Sequence, residues 1–394
     1  MSSELRVLRY IIPAFDTEVR NWATTARLLH WLTILWLSIG LIALFSASYP
    51  VAEAEFGDGL YYFKRQLVWV LFGMGGFSLI VRSPIRKICQ ISHWVFLILL
   101  GLIFLTLIPG VGTTINGATR WLSIGPFLLQ PSELIKPFLI LQSARLFGMW
   151  HKLSLTVRLG WLLIFALLLG AILLQPNLST TALCGMTIWL IALAAGLPQT
   201  QLAGVAIAGL LTATISISIH DYQRRRVMSF LAPWQDPSGD GYQLVQSLLA
   251  IGSGRAWGAG FGMSQQKLFY LPIQYTDFIF AVFAEEFGFI GCTLLLLLLV
   301  AYATLASIVA SLCRHPVHRL IAIGVAIILV GQSLLNIGVA TGALPTTGLP
   351  LPLFSYGGSS AISSLLCAAL LIRVARESSK ANVVFLKRKK RSRN

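Results

Sequence analysis

Asp277 is the residue in this chain whose position most demands a chemical explanation. It lies in Leu271-Pro-Ile-Gln-Tyr-Thr-Asp-Phe-Ile-Phe280, at the mouth of an apolar run that continues to about Tyr302. A carboxylate at mid-bilayer costs about 2.5–3.5 kcal/mol on insertion scales, and less near the interface. An acid at such a mouth suits proton transfer at a membrane surface. Other groups that could join it are spread along the chain. Glu133 and Lys136 are three residues apart and share a helix face. Lys136 is the only lysine inside an expected span. An intramembrane lysine faces a cavity and takes a partner, and the candidates are Glu133, Asp277, Glu285 and Glu286. A local Glu133–Lys136 pair without a catalytic role is the plainer reading.

Glu285 and Glu286 lie two turns beyond Asp277, about 12–14 Å deeper along a helix. They point about 80° and 180° away from it around the axis, which favours structural or pair-forming roles. Arg224, Arg225 and Arg226 could meet an anionic lipid headgroup, lie solvated, or anchor the chain to lipid. Arg120 offers a further cation in Gly117-Ala-Thr-Arg-Trp121. Gly252, Gly254, Gly258, Gly260 and Gly262 fit either irregular backbone in a re-entrant or surface loop, or contact with a pyrophosphate; Walker spacing is absent. In Pro345–Ser360 the prolines exclude helix, and Ser355-Tyr356-Gly357-Gly358 permits tight backbone approach.

The elements that must position these groups are membrane helices. The chain is 56% hydrophobic and 11% charged, against about 25% charged residues in a soluble domain. Apolar runs recur along its whole length, so a single soluble core is excluded. The sequence predicts an all-α polytopic membrane protein with ten transmembrane helices, at 28–48, 66–81, 91–109, 132–148, 159–174, 178–196, 201–219, 279–302, 320–340 and 359–374. With the N-terminus inside, 21 of the 30 Lys and Arg fall on inner segments and 10 of the 14 acids outside. The positive-inside rule therefore gives N-in, C-in. Because the net charge of +16 follows sidedness, it does not indicate nucleic acid. The run Lys387-Arg-Lys-Lys-Arg-Ser-Arg393 reads as a topology anchor on anionic lipid or as a docking site for a cytoplasmic partner.

The expected organisation is a cytoplasmic arm (1–27), one membrane domain (28–374) and a basic cytoplasmic tail (375–394). The first twenty residues are polar and charged, so no cleavable signal is expected. One long extracytoplasmic loop, 220–276, interrupts otherwise short connections. Within it, 242–251 is amphipathic through Leu244, Val245, Leu248 and Leu249, as suits a helix lying on the membrane surface. Ser132 suits a helix N-cap. The five cysteines lie in spans or on the inner side, the six histidines are scattered, and neither disulfides nor metal-ligand spacing follows.

Taken in order, several blocks resemble the SEDS family (shape, elongation, division and sporulation), which comprises FtsW, RodA and SpoVE. They are Gly117–Trp121, Gln130-Pro-Ser-Glu133 with Lys136, Asp236-Pro237 with Gly241-Tyr-Gln243, Thr276–Phe280, Glu285-Glu286, and Asn336-Ile-Gly338 through Ser359. No block is specific alone; the ordered set is. Leu344-Pro-Thr-Thr-Gly348 with Gly357-Gly-Ser-Ser360 is more similar to the division-associated FtsW branch. The resemblance implies ten helices, a peptidoglycan glycosyltransferase that polymerises lipid II, and work beside a class B penicillin-binding protein. It places the family's essential aspartate on Asp277 and its paired glutamate and lysine on Glu133 and Lys136. Two departures stand out. Asn177 occupies an aspartate position and cannot act as a base. Tyr275 occupies a position often held by histidine, which removes that proton relay.

The expected chemistry is inverting glycosyl transfer at the outer face of the cytoplasmic membrane, in septal wall synthesis. Asp277 takes the acceptor hydroxyl proton, with Lys136 as its neighbour. Arg120, Lys136 and the arginine triplet offset the charge of the departing lipid pyrophosphate. A divalent cation could assist, although no ligand cluster calls for one. Expected partners are lipid II, the penicillin-binding protein, other division proteins and membrane lipids. The alternatives are a lipid II flippase, which usually shows internal repeats that are not evident here, and a non-catalytic division scaffold.

Overall fold

The computed structural model describes residues 17–115, 118–125 and 127–391. Arg6, Arg9, Gly117, the tail residues beyond 391 and the side chains of the basic tail from Lys380 onward lie outside what is described. Three long helices come first: α1 (Thr24–Phe56), α2 (Tyr61–Arg82) and α3 (Ile85–Thr106). An antiparallel meander follows, of β1 (Thr113–Ile115), β2 (Ala118–Ile124) and β3 (Phe127–Leu129). The meander is a small addition to a fold that is otherwise helical, as expected. The segment is rich in Thr, Trp, Ile and Phe, which suit a pleated ribbon, and its β2–β3 turn holds Gly125 at φ 60°. A helix interrupted at Ile135 comes next, as α4 (Pro131–Leu134) and α5 (Lys136–Gly148). Then come α6 (Leu155–Leu174), α7 (Leu178–Ala194) and α8 (Gln199–Ile219).

The long loop contains two helices, α9 (Asp221–Leu231) and α10 (Tyr242–Ser253). The chain then runs through α11 (Ile279–Leu312), α12 (Pro316–Ala326), a π-helical turn (Ile327–Gly331), α13 (Gln332–Ala340) and α14 (Gly358–Arg391). Each expected span falls on helical chain in this order, two of them (132–148 and 320–340) on interrupted helices. Seven of these are long and apolar enough to cross a membrane on length and composition; α7, at 17 residues, is among the rest. The protein is therefore a helical multi-pass membrane protein, while the count of ten remains the reading from sequence.

Helix α14 is the centre of the bundle and packs most extensively against α2, α1 and α12. Gly73 and Gly76 of α2 let Leu365 and Leu366 of α14 approach closely, a small-residue contact typical of membrane helices. At the other extreme, α8 buries only Leu202 and Ser216. Its remaining apolar surface is what lipid tails would cover.

One departure from regular helix builds the site end of the bundle. Helix α11 breaks at Gly288, where φ is 64° and ψ −166°. A break inside a membrane protein must find partners for the freed backbone groups. The glycine-rich chain after α10 supplies them. Ala259 and Gly260 N–H donate to the Glu285 and Glu286 carbonyls at 2.9 and 3.1 Å, and Phe289 and Ile290 N–H donate to the Arg255 and Ala256 carbonyls at 2.9 and 3.1 Å. A Cβ at Gly254 or Gly258 would collide with the Ala284 or Glu286 carbonyl. Gly254 and Gly258 therefore serve close backbone packing, the irregular-backbone reading open in the sequence, whereas Gly252 and Gly262 have no atom within 4 Å of an added Cβ. Helix α10 also departs from expectation. Leu244, Val245 and Ala250 are buried, Ser247 Oγ donates to the Ala340 carbonyl at 2.7 Å, and the helix packs on α11 and α13. Leu244 and Val245 of its apolar face meet protein, Leu248 is half-buried and Leu249 stays exposed.

Candidate functional site

The segment 275–277 is held carbonyl by carbonyl. Tyr356 N–H donates to Tyr275 O at 2.9 Å, Ser355 Oγ to Thr276 O at 2.6 Å, and Asn336 Nδ2 to Asp277 O at 2.8 Å. Ser355 Oγ also accepts the Leu351 N–H at 2.8 Å. Gly357 N–H donates to Gln66 Oε1 at 3.1 Å, and a Cβ at Gly358 would strike Trp69. The Ser-Tyr-Gly-Gly stretch is therefore a scaffold that grips the Asp277 loop, the supporting role among those expected of it. Tyr275 stacks on Tyr62 with centroids 4.6 Å apart and hydrogen-bonds its hydroxyl at 3.2 Å. Tyr62 in turn donates to Glu55 at 2.6 Å.

The Asp277 side chain is partly accessible but is surrounded by protein. Burial pushes its carboxyl above the ordinary carboxylate range; Arg226 and Arg120 act against that rise, and Glu133 adds to it. Arg226 reaches in from α9, donates to the Thr346 carbonyl at 3.2 Å and lies over the Tyr222 ring at 4.5 Å. Arg120 reaches in from β2 and donates to the Gln175 and Pro176 carbonyls at 3.0 and 2.5 Å. Burial lowers the Arg120 guanidinium from its ordinary value, with Tyr222 and Asp277 acting the other way and Arg226 adding to the lowering. Gly348 lies between the acid and one of its cations: a Cβ there would be 3.4 Å from Asp277 Oδ2 and 3.7 Å from Arg226 Nη1. Its φ of 73° also disfavours any side chain. The arrangement is an acid with a raised pKa, two cations bonded in place and a gap kept clear of side chains.

The sequence candidates divide into three groups. Asp277, Arg226 and Arg120 converge. Arg224 and Arg225 do not: they are exposed, with Arg224 on Asp221 at 2.7 Å and Arg225 near Asp240 at 3.9 Å. A helix turns each successive side chain by about 100°, so adjacent arginines cannot share one target. Glu285 and Glu286 form a separate cluster. Glu285 accepts from Ser264 Oγ and from the Gln265 N–H at 3.0 Å. Glu286 pairs with buried Lys267 at 2.8 Å and accepts from Ser46. These acids tie the inserted segment to the broken helix, the pair-forming role expected of them.

Lys136 requires a correction. Its ammonium donates to Glu133 at 2.6 Å and to Gln332 Oε1 at 3.0 Å, and it is not among the groups acting on the Asp277 carboxyl. Both members of the pair are buried, at 1% and 3% exposure. The interruption at Ile135 sets Lys136 at the start of α5 and turns it back on Glu133 one turn earlier. Asn177 caps α7, accepting the Thr180 N–H at 3.2 Å. An aspartate would fill that cap as well, so the departure costs the fold little. Lys267, Gln332 and Asn336 matter here and had no assigned role. Gln332 and Asn336 could have been noticed as two amides four residues apart inside an apolar span.

The fold and site define a helical multi-pass membrane protein with an acid and two arginines at one end of its bundle. The chain belongs to the FtsW/RodA/SpoVE family of cell cycle proteins, whose pattern matches residues 26–380. It is 58% identical to a probable peptidoglycan glycosyltransferase FtsW of Synechocystis sp., over 98% of both chains. It is 37% identical to the stage V sporulation protein E of Bacillus subtilis, over 89% of this chain and 97% of that one. Among solved structures, it is similar to a chain from a peptidoglycan synthase complex that coordinates polymerization and crosslinking. The TM-score is 0.70 and the identity 30%, covering 89% of this chain and 97% of the other. The rod shape determining protein RodA of Thermus thermophilus aligns with a TM-score of 0.67 and 28% identity, covering 91% and 98% of the chains.

Proposed function

We propose that this chain is a peptidoglycan glycosyltransferase that polymerises lipid II at the outer face of the cytoplasmic membrane. Its place is septal wall synthesis, beside a class B penicillin-binding protein. The names carried by its relatives support the activity. The observation that carries the mechanism is the Asp277 carboxyl beside Arg226 and Arg120. Asp277 accepts the proton of the GlcNAc 4-hydroxyl of the acceptor. That oxygen forms a bond to the anomeric carbon of the donor glycan. The bond from that carbon to phosphate breaks, and its electron pair leaves on the lipid pyrophosphate.

A base works best with a pKa near the working pH. Burial raises the pKa of Asp277 in that direction, and the arginines oppose part of the rise. Arg226 faces the gap at Gly348, and both cations suit the negative charge that grows on the leaving group. Their own bonds to carbonyls hold them in place, so little reorganisation is needed. The bias of positive charge toward inner segments supports the outer placement. The penicillin-binding partner is suggested by the likeness to a chain from a complex that joins polymerization to crosslinking.

The test is Asp277→Asn in purified full-length protein given lipid II. Polymer formation should fall by about 10²–10⁴-fold, the worth of a positioned general base. Polymer formed at the unaltered rate would remove Asp277 from this role.

A further inference from the structure

The buried Glu133–Lys136 pair does not touch Asp277, yet hydrogen bonds from two amides to one shared stretch of backbone link them. Gln332 Oε1 accepts from Lys136 Nζ at 3.0 Å, and Gln332 Nε2 donates to the Pro350 carbonyl at 2.7 Å. One turn later, Asn336 Nδ2 donates to Leu349 O and to Asp277 O, both at 2.8 Å. The orientation of each amide is forced. A lysine only donates and a carbonyl only accepts, so Gln332 must turn its oxygen to Lys136 and its nitrogen to Pro350. Asn336 meets two carbonyls and must present its nitrogen to both. Pro350 and Leu349 are adjacent, so both amides grip the same stretch of chain. All four side chains are buried.

The backbone shows how this face is presented. Helices α12 and α13 are separated by the π turn Ile327–Gly331, which ends one residue before Gln332. A π turn holds an extra residue relative to α-helix, which rotates everything after it by about 100°. Without it, Gln332 and Asn336 would leave the face they share with Lys136 and the Asp277 loop. Such turns recur at functional sites.

We propose that Gln332 and Asn336 are positioning residues that transmit the hold of the Glu133–Lys136 pair to the Asp277 loop. The pair then serves the reaction through these two amides rather than by contact with substrate. This rests on the reading of Asp277 as the base. Arg226 and Arg120 are bonded to other carbonyls, so a loosened loop moves the carboxylate relative to cations that stay put. The charged groups acting on that carboxylate are Arg226 from α9, Arg120 from β2 and Glu133 from α4.

The experiment uses the full-length chain in nanodiscs with lipid II, scoring rate per folded protein across pH. Asn336→Leu and Gln332→Met should each lower kcat about tenfold to a hundredfold, as for misplacement of a catalytic group by about 1 Å. KM should stay within about twofold. The acid limb of the rate profile should move to higher pH, because the carboxylate has lost part of its arginine support. A folding defect cannot move that limb. The double variant should be scarcely slower than the worse single one, since both amides act as a unit. If Gln332→Met does not fold, Gln332→Glu keeps the bond from Lys136, loses the donation to Pro350 and should show the same signs. Folded variants with the limb in place, or losses that multiply in the double variant, would overturn the proposal. An Asp277→Asn protein that keeps its rate would remove the base assignment itself. A dead Asp277→Asn beside an unaffected Asn336→Leu would remove only the positioning role.

Discussion

Replacing Gly288 by alanine should unseat the inserted segment that supports the site. Gly288 has φ 64° and ψ −166°, a region almost reserved for glycine, where a residue with a Cβ is strained by about 1–3 kcal/mol. Space is a second obstacle, since the new methyl would be 2.7 Å from the Ala256 carbonyl oxygen and would run into the Gly258 nitrogen. Both are backbone atoms and cannot rotate aside. The chain 255–260 must then retreat, and four backbone hydrogen bonds across the break go with it. At about 0.5–1.5 kcal/mol net for each bond, the total with strain comes to about 3–9 kcal/mol. Native domains hold only about 5–15 kcal/mol in all. The assay is thermal unfolding of the purified protein in detergent, together with limited proteolysis across 254–274. Gly209→Ala is the control: it lies in exposed α8 with nothing within 4 Å of an added Cβ. It should be neutral or stabilising by up to about 1 kcal/mol. The expected result is a large fall in melting temperature and new cleavage in 254–274 for Gly288→Ala alone. Equal melting of the two variants, with no new cleavage, would refute the argument that this glycine holds the insertion in place.

Two further outcomes follow from the charged groups. Lys136→Met leaves buried Glu133 without its cation and should cost about 3–5 kcal/mol, while Glu133→Gln with Lys136→Met should recover much of it; unfolding of the three proteins checks this. Arg226→Gln removes one of the two cations that oppose the rise in the Asp277 pKa. The carboxyl should then stay protonated to higher pH, so the acid limb of the polymerisation rate should move upward. The rate at neutral pH should fall by about a hundredfold, the worth of one donor to developing charge. A lipid II assay across pH measures both.

Much of the membrane architecture was legible because bilayer physics writes it into local sequence. Apolar length marks the long helices, and every expected span falls on helical chain. Asp277 stood out for a related reason: an acid is costly where it lies. The β-meander was missed because three short strands leave little periodicity among aromatic and β-branched residues. Helix α10 was recognised as amphipathic, but amphipathicity does not say whether protein or lipid covers the apolar face. The arginine triplet looked like one feature and divides into three, because helical rotation sends neighbours to different targets.

The sequence by itself determined a polytopic membrane protein, the place of its helices and the residue types able to do its chemistry. It also carried the ordered blocks that mark the family. The tertiary structure alone decided which of those residues meet. Lys136 faces Glu133 and Gln332, Arg226 and Arg120 flank Asp277, and Glu285 and Glu286 clamp an insertion into a broken helix. Hydropathy is a local property of each segment, readable one helix at a time. The site depends on the rotation of each helix and on where the ladder breaks, at Gly288 and at the π turn. Those are settled only when every buried polar group in the packed bundle must find a partner.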